Sequence, residues 1–321
     1  MKITRRSLLI ASAALPLAGW GKLAHAQRYP SRPIHIVIPA AASTSIDVTA
    51  RFFTEPLAQR LGGSTVIENK PGTGGLIAYA GVAKAAADGY TLMMAGIPMY
   101  LLPLLSQGTA TFDPLAAFSP IARVARVSFG LVVNSSSPYH TLQDLIRAMR
   151  DKPNELTYSS QGVGSAAHLC GALLTHMSNT KAQHVPYKST ATATTDVAAG
   201  LVSFTMQPGP SVLGLLQTGK LRLLAVSGAQ RWEAFPDVPT VAQAGIPDYE
   251  LSSWLDFVAP KGTPDTVMTL LDGQLREIAR TPEYKDFCSQ KMIFAEEVGH
   301  QELARQMQHE ARRWKEIVEL I

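Results

Sequence analysis

Cysteine is nearly absent from this chain. Its 321 residues contain only Cys170 and Cys288, which excludes a small disulfide-dense scaffold and a metal site built from paired cysteines. The two could pair in an oxidising compartment, but they lie far apart in the sequence, in segments with helical patterns. We therefore predict two buried, free thiols.

Long apolar runs are also missing. No segment beyond the N-terminus offers the roughly 20 uninterrupted apolar residues that a membrane-spanning helix needs. The N-terminus combines the pair Arg5-Arg6 with the apolar stretch Ser7–Gly19 and the small-residue site Ala24-His25-Ala26, which is typical of a cleavable signal peptide. We predict a signal peptide at residues 1–26, cleavage after Ala26 and export to the periplasm. The arginine pair leaves both Sec and twin-arginine export open.

The chain beyond the signal peptide lacks an excess of either charge. Residues 1–26 hold four of the 29 Lys and Arg residues and no Asp or Glu, so the remainder has 25 basic and 25 acidic residues. This balance removes the usual argument for nucleic acid or an anionic membrane as a partner. The 46% hydrophobic content predicts a large core, and the remaining length of about 295 residues favours two lobes.

Recognised catalytic and cofactor motifs are missing too. The segments Gly162–Ala166 and Gly209–Leu213 both fail the G-x-S-x-G spacing of a nucleophile elbow. His168, His176 and His184 recur every eight residues, which does not place them on one helix face as an i, i+4 metal pair requires. Gly162–Ala167 reads G-x-G-x-x-A between a strand and a helix, but no acidic residue follows about 20 positions on. We predict no metal, no cofactor and no enzymatic activity.

Short apolar runs alternate with amphipathic stretches, which predicts an α/β fold with a mainly parallel sheet. Predicted strands are Ile34–Ile38, Ser64–Glu68, Thr91–Ala95, Ile121–Val133, Thr157–Ser160, Gln183–Val185, Ser203–Met206, Leu221–Ser227 and Ser252–Ala259. Predicted helices are Ile46–Leu61, Leu76–Ala86, Leu142–Arg150, Ala166–Ser178, Ala191–Ala199, Ser211–Thr218, Pro264–Arg280, Pro282–Gln290 and Gln301–Leu320. Thr141 and Asp144 have the spacing of a capping box at the start of one helix.

One predicted strand is about twice the usual length. The run Arg123–Val133 could leave one lobe and enter another, with Leu221–Ser227 as its returning partner. This predicts a discontinuous lobe 1 of residues 27–124 and 228–321, and an inserted lobe 2 of residues 125–227. Ligands usually bind in a cleft between such lobes.

Two loops rich in small residues feed predicted helices. The stretch IPAAASTSIDVTARFF (Ile38–Phe53) joins an apolar run to a helix, and Ser159–Ser165 does the same in the other lobe. Helix N-termini present unpaired N–H groups and the positive end of the helix dipole, which suit an anion. Any strand-to-helix turn looks similar, but two such loops could hold the two ends of one small anion.

Several short motifs give the chain a family resemblance. They are Tyr29–Ile34 (YPSRPI), Val66–Gly75 (VIENKPGTGG), Ala87–Leu92 (ADGYTL), His184–Lys188 (HVPYK), Gly219–Arg222 (GKLR), Pro236–Thr240 (PDVPT) and Ala259–Pro264 (APKGTP). In this order they resemble the Bug family, the periplasmic substrate-binding receptors of tripartite tricarboxylate transporters. The resemblance covers essentially the whole chain after the signal peptide.

The resemblance implies a two-lobed type II periplasmic-binding-protein fold with a central ligand cleft. It further implies that a small carboxylate is bound without catalysis by a monomer that serves membrane permease subunits. Carried over position by position, it assigns thirteen ligand-binding residues: Ala41, Ala42, Ser43, Thr44, Ser45, Asp47, Ile97, Ser160, Gly164, Ser165, His168, Tyr187 and Gln207.

The chain departs from the family pattern at positions that matter for the ligand. Ser43 and Thr44 stand where the family commonly has a Gly-Gly pair, Ile46 stands where a threonine is usual, and Gln207 stands where an acidic residue is frequent. The pocket could be narrower, or its hydroxyls could bond the ligand directly. These differences leave the identity of the carboxylate open.

Two other functions remain open at this point. A ligand-sensing subunit of a membrane signalling protein would need the same ligand-dependent closed surface. An exported enzyme on the same fold, with Asp47 or His168 as a base, would need a group with a shifted pKa beside a bound substrate.

Overall fold

The structure is a computed structural model that describes residues 29–105 and 112–320. The predicted signal peptide and its cleavage site lie outside the described residues. Within them, strands and helices alternate in a mixed α/β fold.

The strands are β1 (Ile34–Ile38), β2 (Thr65–Asn69), β3 (Thr91–Ala95), β4 (Phe118–Asn134), β5 (Thr157–Ser160), β6 (Gln183–Pro186), β7 (Phe204–Pro208), β8 (Leu221–Val226), β9 (Ser252–Pro260) and β10 (Phe294–Gly299). The helices are α1 (Ser45–Leu61), α2 (Leu76–Ala83), α3 (Pro98–Leu105), α4 (Pro114–Ala117), α5 (Leu142–Asp151), α6 (Ala166–Met177), α7 (Thr190–Ala198), α8 (Gly209–Gln217), α9 (Asp265–Ala279), α10 (Pro282–Gln290) and α11 (His300–Leu320). The sequence patterns predict every one of these except α3, α4 and β10.

The long strand β4 joins two halves of the sheet. Its part from Phe118 to Ser128 pairs antiparallel with β9, and its part from Phe129 to Val133 pairs antiparallel with β7. β10 adds to the first half and β8 adds to the second, both antiparallel to β4. The predicted long strand and its returning partner β8 are therefore confirmed.

The carboxyl ends of two groups of parallel strands point toward each other along β4. The group β1, β2 and β3 runs in the direction of β4, because β3 is antiparallel to β9 and β9 is antiparallel to β4. The group β5, β6 and β7 runs in the opposite direction. Ala95, the last residue of β3, pairs with Asp256 of β9, which pairs in turn with Arg123 of β4. Pro208, the last residue of β7, pairs with Phe129 of β4. The two edges are thus about 20 Å apart along β4, at ~3.3 Å per residue.

Three apolar clusters fix the helices against the strands. Phe53 of α1 and Leu271 of α9 lie in one cluster, Leu169 of α6 and Trp314 of α11 in a second, and Trp232 in a third that includes α8. A fully buried side chain of this size contributes about 1.5–3 kcal/mol to stability. Because α1 and α6 are anchored in this way, the loops that precede them have defined positions.

The two cysteines are free and buried, which confirms the prediction for them. Burial raises the pKa of the Cys288 thiol to about 11 and that of Cys170 also rises for the same reason. The capping box of α5 is confirmed as well, because the Thr141 side chain accepts from Asp144 N–H while the Asp144 side chain accepts from the Thr141 N–H.

Candidate functional site

The first loop (residues 39–44) follows β1 and leads into α1. Ser43 has a φ of 66°, in the left-handed region, and its N–H donates to Asp47 Oδ2 at 2.8 Å. Thr44 is the N-cap residue but makes no side-chain cap to the helix; its hydroxyl donates instead to the Ala41 carbonyl at 2.9 Å. The first N–H groups of α1 therefore have no side-chain acceptor at the N-cap and suit an anion.

Asp47 anchors this loop. The carboxylate is 1% exposed; its Oδ2 accepts from Ser43 N–H and from Arg51 Nε, and its Oδ1 accepts from Asn69 Nδ2 at 2.8 Å. Burial pushes the pKa of Asp47 upward, but the hydrogen bonds from Arg51, Asn69 and Ser43 outweigh burial and hold it below its ordinary value. Since both oxygens are occupied, this arrangement argues against Asp47 as a general base.

The exposed part of the first loop is formed by small side chains. Ala41, Ala42 and Ser43 are exposed, while Thr44 and Ser45 are half-buried. Their exposure at the carboxyl edge of β1 leaves them accessible to a small molecule.

The second loop (residues 161–165) follows β5 and leads into α6. Gly162 and Gly164 have φ values of 114° and 79°, which glycine adopts without strain. Ser165 is the N-cap of α6: its hydroxyl accepts from His168 N–H at 3.3 Å and donates to the Gly162 carbonyl at 2.8 Å. The predicted role of the Ser165 hydroxyl as a ligand donor therefore competes with a capping role.

Two imidazoles lie beneath the second loop. The rings of His168 and His184 are 4.2 Å apart between centroids, and both pack against Tyr158. Burial lowers the pKa of His168; burial, together with His168, lowers that of His184 to about 4. Both rings are consequently neutral near pH 7.

Gln207, the penultimate residue of β7, lies beside the second loop and is fully buried. Its Oε1 accepts from Gln161 Nε2 at 2.9 Å, and Gln161 Nε2 also donates to Thr190 Oγ1. Tyr187 N–H donates to the Ser160 carbonyl, but the Tyr187 hydroxyl donates to Asp196 Oδ2 at 2.6 Å. The lobe-2 residues predicted as ligand contacts thus gather at one strand edge, where many of their polar atoms already have protein partners.

Helix α3 packs against the second loop and against the Gly74–Gly75 turn. A Cβ built on Gly164 would be 2.9 Å from Leu105 Cδ1 at the end of α3, and one built on Gly74 would be 3.1 Å from Leu102 Cδ2. The neighbouring Gly75 lies against the first loop, since its Cβ would be 2.8 Å from Pro39 Cβ. The second loop therefore contacts α3 directly, whereas the first loop is linked to α3 through the Gly74–Gly75 turn.

Ile97 precedes α3 and is the remaining predicted contact. Its side chain is fully buried in the apolar core, and its carbonyl accepts from Tyr100 N–H within α3. The structure therefore places the Ile97 side chain in the core, which leaves only its backbone for a ligand.

A cavity of about 690 Å³ lies elsewhere, beside α10 and β10. It is lined by residues that include Arg126, Trp232 and Glu296, and none of the predicted site residues takes part in it. In the part of the chain that the structure describes, no three His, Cys, Asp or Glu side chains are grouped to hold a metal ion. Within the same residues, no helix has the length and apolarity to cross a membrane.

Sequence reasoning missed the roles of His184 and Gln161 at this edge. His184 lies directly opposite Tyr158 in the parallel register of β5 and β6, and its position in HVPYK gave no hint of a contact with the second loop. Gln161 gives no such signal either, because its partners Thr190 and Gln207 are distant in the sequence.

Comparison with known proteins gives consistent matches over most of the chain. Residues 49–321 match the family described as "Tripartite tricarboxylate transporter family receptor". Protein BugT of Bordetella pertussis is 33% identical over 273 residues, which cover 85% of this chain and 84% of BugT.

Two solved structures are similar in fold. "R. palustris Rpa4515 with adipate" superposes with a TM-score of 0.86 at 32% identity, over 91% of this chain and 98% of that one. The periplasmic binding protein BugD superposes with a TM-score of 0.83 at 28% identity, over 91% of this chain and 98% of BugD.

Proposed function

The chain belongs to the family of tripartite tricarboxylate transporter receptors, and from this premise we propose that it is a periplasmic receptor that captures a small carboxylate between two lobes. The family consists of solute-binding receptors, and its solved relatives with the same fold include periplasmic binding proteins. The resemblance to the Bug family and the predicted fold class are thereby confirmed. The absence of catalysis, the ligand and the delivery to permease subunits are parts of the proposal.

One observation carries the proposal. The N-termini of α1 and α6 follow β1 and β5, whose carboxyl ends point toward each other along β4. Ligands of open α/β sheets bind outside the carboxyl ends of strands, and a helix N-terminus there favours a negative charge. Two such ends suit a molecule with a carboxylate. Rpa4515, 32% identical to this chain, has a structure with adipate.

The binding energy needs no metal ion. Charge-assisted hydrogen bonds contribute about 1.5–3 kcal/mol each, and two or three of them, with burial of the ligand's apolar part, give micromolar affinity, about 8 kcal/mol. Main-chain donors would come from the first turns of α1 and α6, and hydroxyl donors from Ser43 of the first loop and from Ser45, the first residue of α1. Gln207 offers an uncharged amide, so no fixed negative charge at that position repels a second carboxylate.

Lobe closure is the proposed signal to the transporter. The division into lobe 1 (residues 27–124 and 228–321) and lobe 2 (residues 125–227) places the crossing between Val124 and Ala125 in β4, and the return after Ser227. Both crossings lie in strands or at a strand end, which suits a hinge of two chain segments. We propose that the protein acts as a monomer after cleavage at Ala26.

A ligand screen tests the proposal. The chain from Gln27 onward is mixed with acetate, succinate, adipate, malate, citrate and benzoate, and thermal shift is followed by calorimetry on every hit. At least one carboxylate should bind with 1:1 stoichiometry and raise the melting temperature, since a ligand at 100 times its Kd stabilises by about 2.7 kcal/mol. Scattering in solution should show a smaller radius of gyration with that ligand. If none of these carboxylates binds, or if the bound carboxylate is converted to a product, the proposal is wrong.

A further inference from the structure

We propose that His184 and His168 are positioning residues for the second loop: each uses one ring nitrogen to hold the main chain of that loop in its ligand-binding shape, without touching the ligand. The inference rests on the proposed function, because it concerns how the same site is kept ready for a carboxylate. It changes the role of His168, which the family resemblance placed among the ligand contacts.

His184 reaches the loop through one hydroxyl. Its Nε2 lies 2.6 Å from Ser160 Oγ, and Ser160 Oγ in turn donates to the Gly162 carbonyl and accepts from the Gly162 N–H, both at 3.1 Å. The Ser160 side chain thus bonds both main-chain polar groups of Gly162, and the His184 imidazole fixes the position of the Ser160 hydroxyl. Ser160 is fully buried. Loss of the imidazole would therefore cost free energy, because water does not readily take its place.

His168 holds the next glycine. Its Nδ1 is 3.4 Å from the Gly164 N–H, which donates to it, and its own N–H donates to the Ser165 hydroxyl. As an acceptor, Nδ1 carries no proton, so the ring is the tautomer with its proton on Nε2. The two histidines therefore act on alternate residues of the loop, Gly162 and Gly164.

These two bonds decide which amides remain for a ligand. Gly162 and Gly164 both have positive φ, and their N–H groups are turned toward Ser160 and His168. The N–H groups of Ala166 and Ala167 belong to the first turn of α6, where no intrahelical acceptor exists. If the peptide at Gly162 or Gly164 flipped, its N–H group would no longer bond Ser160 or His168, and the set of N–H groups available to a ligand would change.

The arrangement depends on uncharged rings. Protonation of His168 would remove the acceptor for Gly164 N–H, and protonation of both rings would bring two like charges within 4.2 Å. Among the described residues, the side chains recorded in contact with the pair are Tyr158 and Ser160 of β5, and neither carries a carboxylate that could balance the charge. Burial lowers the pKa of both histidines, in agreement with neutral rings.

Substitution of each histidine by glutamine and by asparagine distinguishes a role of the ring nitrogen in positioning the loop from a role of the ring in packing. The amide of glutamine reaches roughly the position of a histidine Nε2, and that of asparagine the position of Nδ1. His184→Gln therefore keeps an amide N–H donor near Ser160 Oγ, and His168→Asn keeps an amide oxygen that can accept from the Gly164 N–H, whereas His184→Asn and His168→Gln place neither group there. Within each pair, both variants lose the packing of the same imidazole on Tyr158.

The measurement is the Kd of each variant for the tightest-binding carboxylate of the six screened above, together with its melting temperature. We expect His184→Gln and His168→Asn to bind within about threefold of wild type, and His184→Asn and His168→Gln to bind at least tenfold more weakly. Equal losses within each pair would mean that the rings only fill space, and would overturn the inference while leaving the proposed function intact. A wild-type protein that binds none of the six overturns both.

A second measurement covers variants that do not fold. Long-range ¹H–¹⁵N correlation spectra of the wild-type protein at pH 6 report the protonation state and tautomer of each histidine. We expect His168 to be neutral with its proton on Nε2. A doubly protonated His168, or one with its proton on Nδ1, would overturn the inference without any substitution.

Discussion

The first loop is held by an ionised carboxylate, whereas the second is held by uncharged groups. Asp47 accepts three hydrogen bonds at the start of α1, one of them from the guanidinium of Arg51. At the start of α6 the corresponding bonds come from Ser160, Ser165 and His168. The same local task, a turn from a strand into a helix, is solved with a charge before α1 and without one before α6.

In the proposed cleft, neither loop presents a fixed negative charge to the ligand. The carboxylate of the first loop is balanced by Arg51 and turned into the protein, where it is 1% exposed. The second loop has glycines at its left-handed positions, while the first has a serine, Ser43, at its own. The two halves should therefore respond differently to substitution and to pH, and the following experiments test that difference.

The largest effect should come from the charged anchor. Asp47→Asn removes the charge and replaces one of the two acceptor oxygens by an N–H₂ group, which then faces either the donors of Ser43 and Arg51 or that of Asn69, at a side chain that is itself buried. Such a change destabilises by about 2–4 kcal/mol, measured as the free energy of unfolding in urea. Glu302→Gln is the control, because the Glu302–Arg305 pair is exposed and should contribute little to stability. Similar losses for the two variants would contradict the anchoring role.

Removal of single main-chain donors should have the next largest effect. Proline at the first position of a helix removes one N–H and is otherwise tolerated. The residues before Ala166 and Ser45 both have extended conformations that accept a following proline. We expect Ala166→Pro and Ser45→Pro each to weaken carboxylate binding about 10- to 100-fold, the equivalent of one charge-assisted bond.

Two controls accompany the proline variants. Asp265→Pro makes the same change at the start of α9, an exposed position outside both loops, and Ser45→Ala isolates the side chain of Ser45. Calorimetry should give wild-type affinity for Asp265→Pro. If Ala166→Pro and Ser45→Pro also bind like wild type, the amides at the helix starts do not hold the ligand.

Acid should weaken the second loop before the first. The pKa of His184 is lowered to about 4 from 6.5, so its neutral ring stabilises the fold fully above about pH 6.5, and that contribution is lost as the pH falls toward 4. The pKa of Asp47 is lowered from 3.8, so its contribution is present above that pH and is lost only below it. Allowing for the partial exposure of His184, the loss between pH 6.5 and 4 is about 1–2 kcal/mol.

Urea unfolding at a series of pH values checks this order. His184→Gln should lose less stability than wild type between pH 6.5 and 4, because glutamine does not titrate. His176→Gln, at an exposed position on α6, should follow the wild-type curve. Parallel curves for wild type and His184→Gln would contradict the assignment.

Much of the fold was predictable because it rests on local periodicity. The length of β4 indicated a strand shared by two halves, and Thr141 with Asp144 marked the start of α5. Helix α3 was missed because PMYLLPLL is apolar on all sides and contains Pro103, so its pattern has no helical face. β10 was missed because FAEEVG has neither alternation nor an apolar run; it is held by pairing with β4 and by the Arg126–Glu296 ion pair.

The candidate site was predictable in its location but not in its internal bonding. Small residues between a strand and a helix pointed to both loops. The partner of Ser160 lies 24 residues away on a neighbouring strand, and only the register of β5 and β6 brings them together. The sequence likewise does not reveal that the Ser165 hydroxyl caps α6, because a serine at a helix start fits both capping and ligand binding.

The smallest effect should come from the backbone of the first loop. Ser43 has a φ of 66°, which costs a residue with a Cβ about 1 kcal/mol relative to glycine. Ser43→Gly should therefore raise the free energy of unfolding by up to about 1 kcal/mol, while Ser43→Ala keeps the strain and removes only the hydroxyl. If that hydroxyl bonds the ligand, both variants should bind the carboxylate more weakly, and only Ser43→Gly should be more stable. Equal stability of the two variants would show that the left-handed conformation of Ser43 is unstrained, and the first loop would then resemble the second more closely than its sequence indicates.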